Sequence, residues 1–268
     1  MKILYSVFTK PWKTMSVSEL GDFVAGLGFD GVELPVRPGF QVEPEQVKDL
    51  PKTAKTLAEY GVQIYSVAGP TDEATIAAYA EAAQASNMQE IPTIRICVRI
   101  DQDEDYLSGE ARLQREFDAL VPLLDKYGVR LGIQNHCGRN VANAMGLRSL
   151  IAKYDPRHVA AVWDAAHNAL QGEEPDLALD IVWSHLCMVN LKNAYWKRMT
   201  GPEAELAGWH WYWTNGRQGL ASWPKVADEL KRRDYNGVVC LTAEYSDHDS
   251  VNRLIKEDVA FAKGLLGS

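Results

Sequence analysis

The chain has 268 residues, of which 46% are hydrophobic and 24% are charged, and its formal net charge is -8. These values are ordinary for a globular protein, and the length suits one large domain better than two. The acidic balance argues against a nucleic-acid or anionic-membrane partner, which would need a basic face, but it leaves room for an anionic small substrate at a locally basic site.

A short apolar run followed by an amphipathic helical stretch repeats along the whole chain. The predicted strands cover residues 2–8, 31–34, 62–67, 93–99, 129–135, 158–163, 185–191 and 238–244. The predicted helices cover residues 17–27, 45–60, 72–87, 110–127, 144–154, 175–183, 223–233 and 251–266. Eight such units imply a parallel sheet, and eight parallel strands close into a barrel. The sequence therefore predicts an α/β fold, a (β/α)8 TIM barrel, as a single domain over residues 1–268.

The segment 193–222 is the exception to this alternation, because it is too long for an ordinary βα loop. It contains the aromatic residues Tyr195, Trp196, Trp209, Trp211, Tyr212 and Trp213. We expect a lid or specificity wall over the site or, alternatively, a subunit contact in a homo-oligomer. Trp211, as a surface on which a sugar can stack, and Arg217 are predicted substrate contacts.

The four cysteines are predicted to be buried free thiols in a reducing cytoplasm, because they form no CxxC motif and lie in or beside apolar runs: Cys97, Cys137, Cys187 and Cys240. The first residues have the pattern of a strand rather than of a secretory leader, and no apolar run reaches membrane-spanning length. The sequence thus predicts a cytoplasmic protein without a membrane partner.

A parallel barrel carries its reactive groups at the carboxyl ends of its strands, since the interior below is packed. The polar residues at these positions are Glu33, Gln134, Asn135, His136, Asp164, His167, Asn190, Lys192, Asn193, Thr242 and Glu244. An unpaired buried polar side chain costs about 1–3 kcal/mol. Such a concentration therefore needs internal partners, a metal or a ligand.

Several charged residues near these strand ends have two interpretations. Glu33 either contacts a substrate hydroxyl or pairs with Arg37. Lys192 either pairs with a carboxylate of the site or holds a carbonyl or anionic oxygen. Arg95 and Arg99 either point inward and bind a phosphate or carboxylate, or point outward as solvated charges.

Five segments resemble motifs of the xylose-isomerase-like TIM barrels. They are FDGVEL at 29–34, GVRLGIQNH at 128–136, VWDAAH at 162–167, VNLKN at 189–193, and YNG at 235–237 with the run to Glu244. The similarity covers nearly the whole chain in the right order. It indicates the superfamily and says little about the substrate.

The resemblance implies a divalent metal, Mg²⁺ or Mn²⁺, held by residues from strands five to eight. Carried over to this sequence, the ligands are Gln134, Asp164, Asn190 and Glu244. The family has glutamate and histidine where this chain has Gln134 and Asn190, and its last glutamate most often falls at the position of Thr242. Amide oxygens can bind hard cations, but this set carries less charge than the family's, which lowers the expected affinity.

The same resemblance implies a sugar or sugar-acid isomerase or epimerase of carbohydrate metabolism that acts next to a carbonyl by proton transfer. The substrate would be a small polyhydroxylated molecule, and no nucleotide cofactor is expected. The alternatives are a dehydratase or lyase of the superfamily, or a non-catalytic sugar-binding relative with a decayed metal site. The assigned catalytic residues are Glu244, His167 and Lys192, and the further substrate contacts are Glu33, His136 and Asn193.

Overall fold

The computed structural model describes residues 1–85 and 91–267 and shows eight parallel strands closed into a barrel. The barrel strands are β1 (Ile3–Phe8), β2 (Gly31–Pro35), β3 (Gln63–Ala68), β4 (Thr93–Cys97), β5 (Arg130–Gln134), β6 (Val159–Asp164), β7 (Leu186–Leu191) and β10 (Gly237–Leu241). Around the barrel their order is β1, β10, β7, β6, β5, β4, β3, β2. The predicted (β/α)8 architecture is confirmed.

Helices surround this barrel and cover its strands. They are α1 (Val17–Gly26), α2 (Leu50–Ala58), α3 (Glu73–Ala85), α4 (Tyr106–Tyr127), α5 (Ala144–Ile151), α6 (Ala165–Leu170), α7 (Pro175–Val182), α8 (Trp223–Arg232) and α9 (Val251–Leu266). The predicted helix end at Asn87 lies outside the described residues. The predicted helix 45–60 is divided, because Pro51 lacks an N–H and is tolerated only in the first turn of the new helix α2. The short helix α6 was not predicted.

Two apolar layers hold the barrel together. The larger cluster lies between strands and helices and contains the fully buried Trp163 and Leu34. The smaller cluster fills the inside of the barrel and includes Ala160, Val162 and Met188. Because side chains alternate along a strand, residues of β6 belong to the two clusters in turn. The packed interior leaves room for a ligand only at the strand ends.

An antiparallel hairpin interrupts the alternation within the long aromatic segment. Its strands are β8 (Asn193–Arg198) and β9 (Trp209–Thr214), paired in register from Asn193 opposite Thr214 to Arg198 opposite Trp209. A long loop is predicted here from the sequence, so the hairpin is a difference from expectation. The alternating run WHWYWT over β9, rich in residues that favour strands, was the signal for it.

The side chain of Asn193 ties the base of this hairpin to the chain that follows it. Its amide nitrogen donates to the backbone oxygens of Gly216 and Ala221, both at 2.9 Å, and its amide oxygen accepts from the N–H of Ala221 at 2.8 Å. Asn193 is buried, so these backbone groups have no ready access to water. The predicted substrate contact therefore has a structural task in the observed fold.

Asn193→Ala should lower the free energy of unfolding by about 2–3 kcal/mol, because it leaves buried backbone groups without partners. Cleavage by a dilute protease within residues 199–208 should also become faster. Gln218→Ala is the control, since that side chain is exposed on the same segment. Equal cleavage and equal urea midpoints for both variants would contradict this role of Asn193.

All four cysteines are free thiols, as predicted, but Cys97 is exposed and not buried as expected. Cys187 donates its S–H to the backbone oxygen of Ala161 at 3.2 Å, so it serves as a packed core residue of the barrel. Within residues 1–85 and 91–267, no helix is both long and apolar enough to cross a bilayer.

Candidate active site

A layer of polar side chains closes the barrel at the carboxyl ends of its strands. Asp164 lies one layer above Val162 and Ala160, which the alternation along β6 directs into the interior. Above this layer is a cavity of about 130 Å³. The residues around it include Arg37, Arg95, Gln134, His167, Asn190 and Glu244.

A continuous chain of hydrogen bonds crosses the floor of this cavity. Arg95 binds the fully buried Glu33 in a bidentate manner, with Nε to Oε1 at 2.8 Å and Nη2 to Oε2 at 2.9 Å. Its third nitrogen, Nη1, donates to Oε1 of Gln134 at 2.8 Å. Gln134 then donates from Nε2 to Oδ2 of Asp164 at 2.8 Å. Arg95 therefore points inward, and its partner Glu33 is not free to pair with Arg37.

Asp164 ends β6 and also begins α6. Its Oδ1 accepts the backbone N–H groups of Ala166 and His167 at 3.0 and 3.1 Å, which is the geometry of a helix N-cap. The side chain of Asn135 holds its backbone on both sides, accepting at 2.7 Å and donating at 3.1 Å. Burial raises the pKa of Asp164 to about 6. Asp164 thus shapes the site but has its carboxylate oxygens engaged.

His167 presents an unpartnered ring nitrogen at the cavity. Its Nδ1 accepts the backbone N–H of Cys137 at 3.1 Å, so the neutral ring carries its proton on Nε2. Burial and the charge of Lys192 hold the pKa of His167 well below its usual value, which keeps the ring neutral. Among the described residues, Nε2 has no partner. The rings of His136 and Trp213 flank it, with centroids at 3.9 and 5.1 Å.

Asn190, at the end of β7, is the second unsatisfied group. Neither its amide oxygen nor its amide nitrogen has a hydrogen-bond partner in the described part of the chain, and the side chain is almost fully buried. A buried polar atom without a partner costs about 1–3 kcal/mol. Together with His167, Asn190 offers a polar ligand both donors and an acceptor.

Glu244 is held between two ammonium groups. Its Oε1 accepts from Nζ of Lys10 at 2.6 Å, and its Oε2 accepts from Nζ of Lys192 at 2.8 Å. The Lys192 ammonium also lies 3.6 Å from the centre of the Trp213 ring, a cation–π contact. Although burial works against the charge, the two lysines hold the pKa of Glu244 far below its usual value. Glu244 is therefore an ionised carboxylate at any pH near neutral.

The route by which Glu244 reaches the cavity differs from the expected one. Residues 238–244 were predicted as one strand, but β10 ends at Leu241. Ala243 then adopts φ 52°, in the left-handed region. Past the end of this strand, Thr242 and Glu244 both line the cavity.

The expected metal ligands do not form a free donor set. The Gln134 oxygen already accepts from the Arg95 guanidinium, and one Asp164 oxygen accepts from Gln134. Glu244 is occupied by two lysines. A divalent cation would have to displace or lie beside these positive groups, which its own charge opposes. The four residues do not fit Mg²⁺ or Mn²⁺ in this arrangement.

Another group of potential metal ligands lies at the edge of the cavity. His136, Cys137 and His167 have ligand atoms within 4.8 Å of one another. Burial raises the pKa of Cys137 to about 11, so its sulfur is a thiol rather than the thiolate that metals bind. His136 is further engaged through Nδ1, which lies 3.2 Å from the amide nitrogen of Asn140. This cluster is a second group of residues that could hold a metal, and it differs from the predicted ligand set.

The other predicted contacts are distributed unevenly. His136 lines the cavity, while Trp211 packs beside Trp213 over the apolar cluster next to α6. Arg217 lies outside the site, with its guanidinium 3.7 Å from the centre of the Phe261 ring on α9. Lys10 also lines the cavity and was missed, although it follows the first strand just as the other site residues follow theirs.

This fold is shared with known proteins. A family model described as xylose isomerase-like TIM barrel matches residues 22–265, whereas no curated protein sequence matches the chain. The chain is similar to the E. coli 3-keto-D-glucoside 4-epimerase YcjR, with TM-score 0.72 and 12% identity over 98% of this chain and 100% of that one.

Two further solved structures share this fold. The probable 3-DHS dehydratase AsbF of Bacillus anthracis has TM-score 0.70 and 14% identity over 97% of this chain and 98% of its own. D-psicose 3-epimerase from Clostridium cellulolyticum H10 has TM-score 0.69 and 14% identity over 100% of both chains. At such low identity, these likenesses establish a common fold.

Proposed function

The chain belongs to the xylose isomerase-like TIM barrel family, and we propose that it is an enzyme, an isomerase of a sugar or sugar acid that moves a proton next to a carbonyl group. One observation carries this proposal: an ionised carboxylate, Glu244, lines the same small cavity as the unpartnered Nε2–H of His167 and the unpartnered amide of Asn190. A base and donors for an oxyanion are the minimum set for enolisation.

In this mechanism, His167 and Asn190 bind the substrate carbonyl oxygen. A neutral imidazole whose proton is on Nε2 donates to the carbonyl and strengthens its hydrogen bond as negative charge develops on the oxygen. The Asn190 nitrogen donates in the same way, and its oxygen accepts from a neighbouring hydroxyl. Binding thereby satisfies polar atoms that are otherwise buried without partners.

Glu244 accepts the proton from the carbon beside the carbonyl. Its two lysines make it a weak base in the free protein, but Lys10 is about half exposed, at 47%, and can turn to a substrate oxygen. Release of one ammonium would raise the basicity of Glu244. Lys192 is buried and remains in place, where its positive charge stabilises the enolate.

A single available carboxylate favours isomerisation over epimerisation. A base on one face of an enediol can deliver a proton to the adjacent carbon, while His167 gives its Nε2 proton to the carbonyl oxygen and takes one from the neighbouring hydroxyl, which converts an aldose-type into a ketose-type compound. Epimerisation with two bases needs a second one on the opposite face. Gln134 is an uncharged amide and cannot serve, and Asp164 is hydrogen-bonded at both of its oxygens.

The test is solvent exchange. The purified protein is incubated in D2O with aldoses, ketoses and keto-sugar acids, with EDTA or with added Mn²⁺, and deuterium at carbon is followed by proton NMR. We expect exchange next to the carbonyl of at least one compound, with equal rates in EDTA and in Mn²⁺. Compounds that bind without any exchange would overturn the proposal, and a product that has lost water would assign a dehydratase instead.

A non-catalytic sugar-binding protein is the second candidate. The observation that favours it is the pairing of Glu244 with two ammonium groups, which lowers its basicity. Stabilisation by a sugar in a thermal-shift assay, together with no exchange over days, would support this candidate.

A further inference from the structure

Arg37 brings to the cavity a positive charge that has no ion-pair partner among the described residues. It follows β2, and its backbone is fixed by hydrogen bonds of its N–H to the Val42 oxygen and of its oxygen to the Phe40 N–H. Within the described ranges, no carboxylate lies within ion-pair distance of its guanidinium. The ring of Phe8 is its neighbour, with the centroid 5.9 Å from the Arg37 Cζ.

A second guanidinium lies on the same ring. Arg95 Cζ is 4.8 Å from the Phe8 centroid, so Phe8 contacts both arginines. Arg95 has Glu33 as a bidentate partner, whereas Arg37 has no ion-pair partner in the part of the chain that the structure describes. Burial and the charge of Arg95 hold the pKa of Arg37 below its usual value. Two partly buried positive charges repel each other, and an anion that lies between or beside them stabilises both.

The charges around the cavity also favour the binding of an anion. The charged residues that line it are the cations Lys10, Arg37 and Arg95 and the carboxylate Glu244, and two further groups, Glu33 and Lys192, pair with Arg95 and Glu244. Among the described residues, three cations and one carboxylate thus line the cavity of a chain whose net charge is -8. An electropositive cavity on an acidic surface attracts a small anion and repels large polyanions.

We propose that Arg37 binds an oxyanion of the substrate, a carboxylate or a phosphate group. This rests on the proposed function, in which the carbonyl end of the substrate lies at His167. Arg37 follows β2, and His167 lies in the first turn of α6, directly after β6. Three strands separate β2 from β6 in either direction around the barrel. The two groups therefore lie on opposite sides of the cavity, and the substrate spans it with its reacting carbon away from its charge.

The planar guanidinium of arginine suits either oxyanion, because its parallel N–H groups match two oxygens at once. An uncharged polyol would leave Arg37 without a partner and should bind more weakly. The anion therefore determines which sugars the site selects, and a neutral sugar of the same length is discriminated against.

The experiment measures binding without turnover. D-glucose, D-glucuronate and D-glucose 6-phosphate, with acetate and inorganic phosphate as minimal anions, are titrated into the full-length protein by calorimetry and thermal shift. The variants are Arg37→Gln and, as the matched control, Arg115→Gln, which removes an exposed arginine of α4.

We expect the anionic probes to bind the wild type and the control equally, and to lose roughly tenfold to a hundredfold in affinity in Arg37→Gln. Binding of D-glucuronate but not of D-glucose 6-phosphate would assign a carboxylate as the ligand of Arg37. Binding of D-glucose 6-phosphate but not of D-glucuronate would assign a phosphate. Equal affinities of the wild type and Arg37→Gln, or no anion binding at about 10 mM, where even weak millimolar sites fill, would overturn the proposal.

These outcomes separate the inference from the proposed function. If anions bind through Arg37 but no bound compound exchanges deuterium, the oxyanion site stands and the isomerase does not. If a neutral sugar exchanges at the same rate in Arg37→Gln and wild type, the isomerase stands and the oxyanion site does not.

Discussion

Replacement of Arg95 by methionine should lower the free energy of unfolding by about 3–5 kcal/mol, because it leaves the carboxylate of Glu33 buried and unpaired. Glu33 is 0% exposed and receives two of the four Arg95 hydrogen bonds. The same change removes the Arg95 donor from the Gln134 oxygen, which keeps the Cys97 thiol at 3.5 Å. The measurement is urea unfolding followed by tryptophan fluorescence. The midpoints are compared with the same dependence of the unfolding free energy on urea concentration for both proteins.

The double variant Arg95→Met/Glu33→Gln tests the cause. A neutral amide at position 33 can still accept from Ser66 and does not require a counter-charge, so at least half of the lost stability should return. Arg157→Met is the surface control, since its ion pair with Asp155 is exposed, and its midpoint should not move. A midpoint for Arg95→Met equal to that of the surface control would show that the buried carboxylate has another partner.

Glu244→Gln should reduce the rate of deuterium exchange by about 10²–10⁴-fold, the usual contribution of a general base. Glutamine preserves the shape of the side chain and can still accept a hydrogen bond from Lys192 at the position of Oε2. The exchange rate is measured at saturating substrate by NMR, and the binding of the same substrate by calorimetry. Binding should change far less than the rate, because the carboxylate acts in the transition state.

Glu174→Gln is the control for this change, as Glu174 forms an exposed ion pair with Lys225 away from the cavity. It should retain the wild-type rate. If Glu244→Gln exchanges deuterium at a rate within twofold of the wild-type rate, another group is the base.

The barrel could be predicted from sequence because its signal is repeated. Each βα unit combines an apolar run with an amphipathic helix, and errors of a few residues, as at the start of α2, do not alter the count of eight. The hairpin was missed for the opposite reason. It occurs once, and its alternating aromatic residues between Trp209 and Thr214 equally fit a lid.

The composition of the site was predictable, but its pairing was not. The rule that polar groups follow barrel strands identified Gln134, Asp164, Asn190 and Glu244, and all four lie at the carboxyl end of the barrel. Whether a carboxylate is free depends on which cation reaches it across the barrel. Arg95 is 62 residues from Glu33 in sequence, and no local pattern reveals that contact.

The left-handed turn at Ala243 has a consequence for how relatives of this chain are compared. Next to it, Glu244 lines the cavity two positions beyond Thr242, where the resemblance to the family's motifs implies the last glutamate. Matching by sequence position would record a threonine there and would score the acid as lost. Transfer of function by position would then discard Glu244, a carboxylate that lines the cavity.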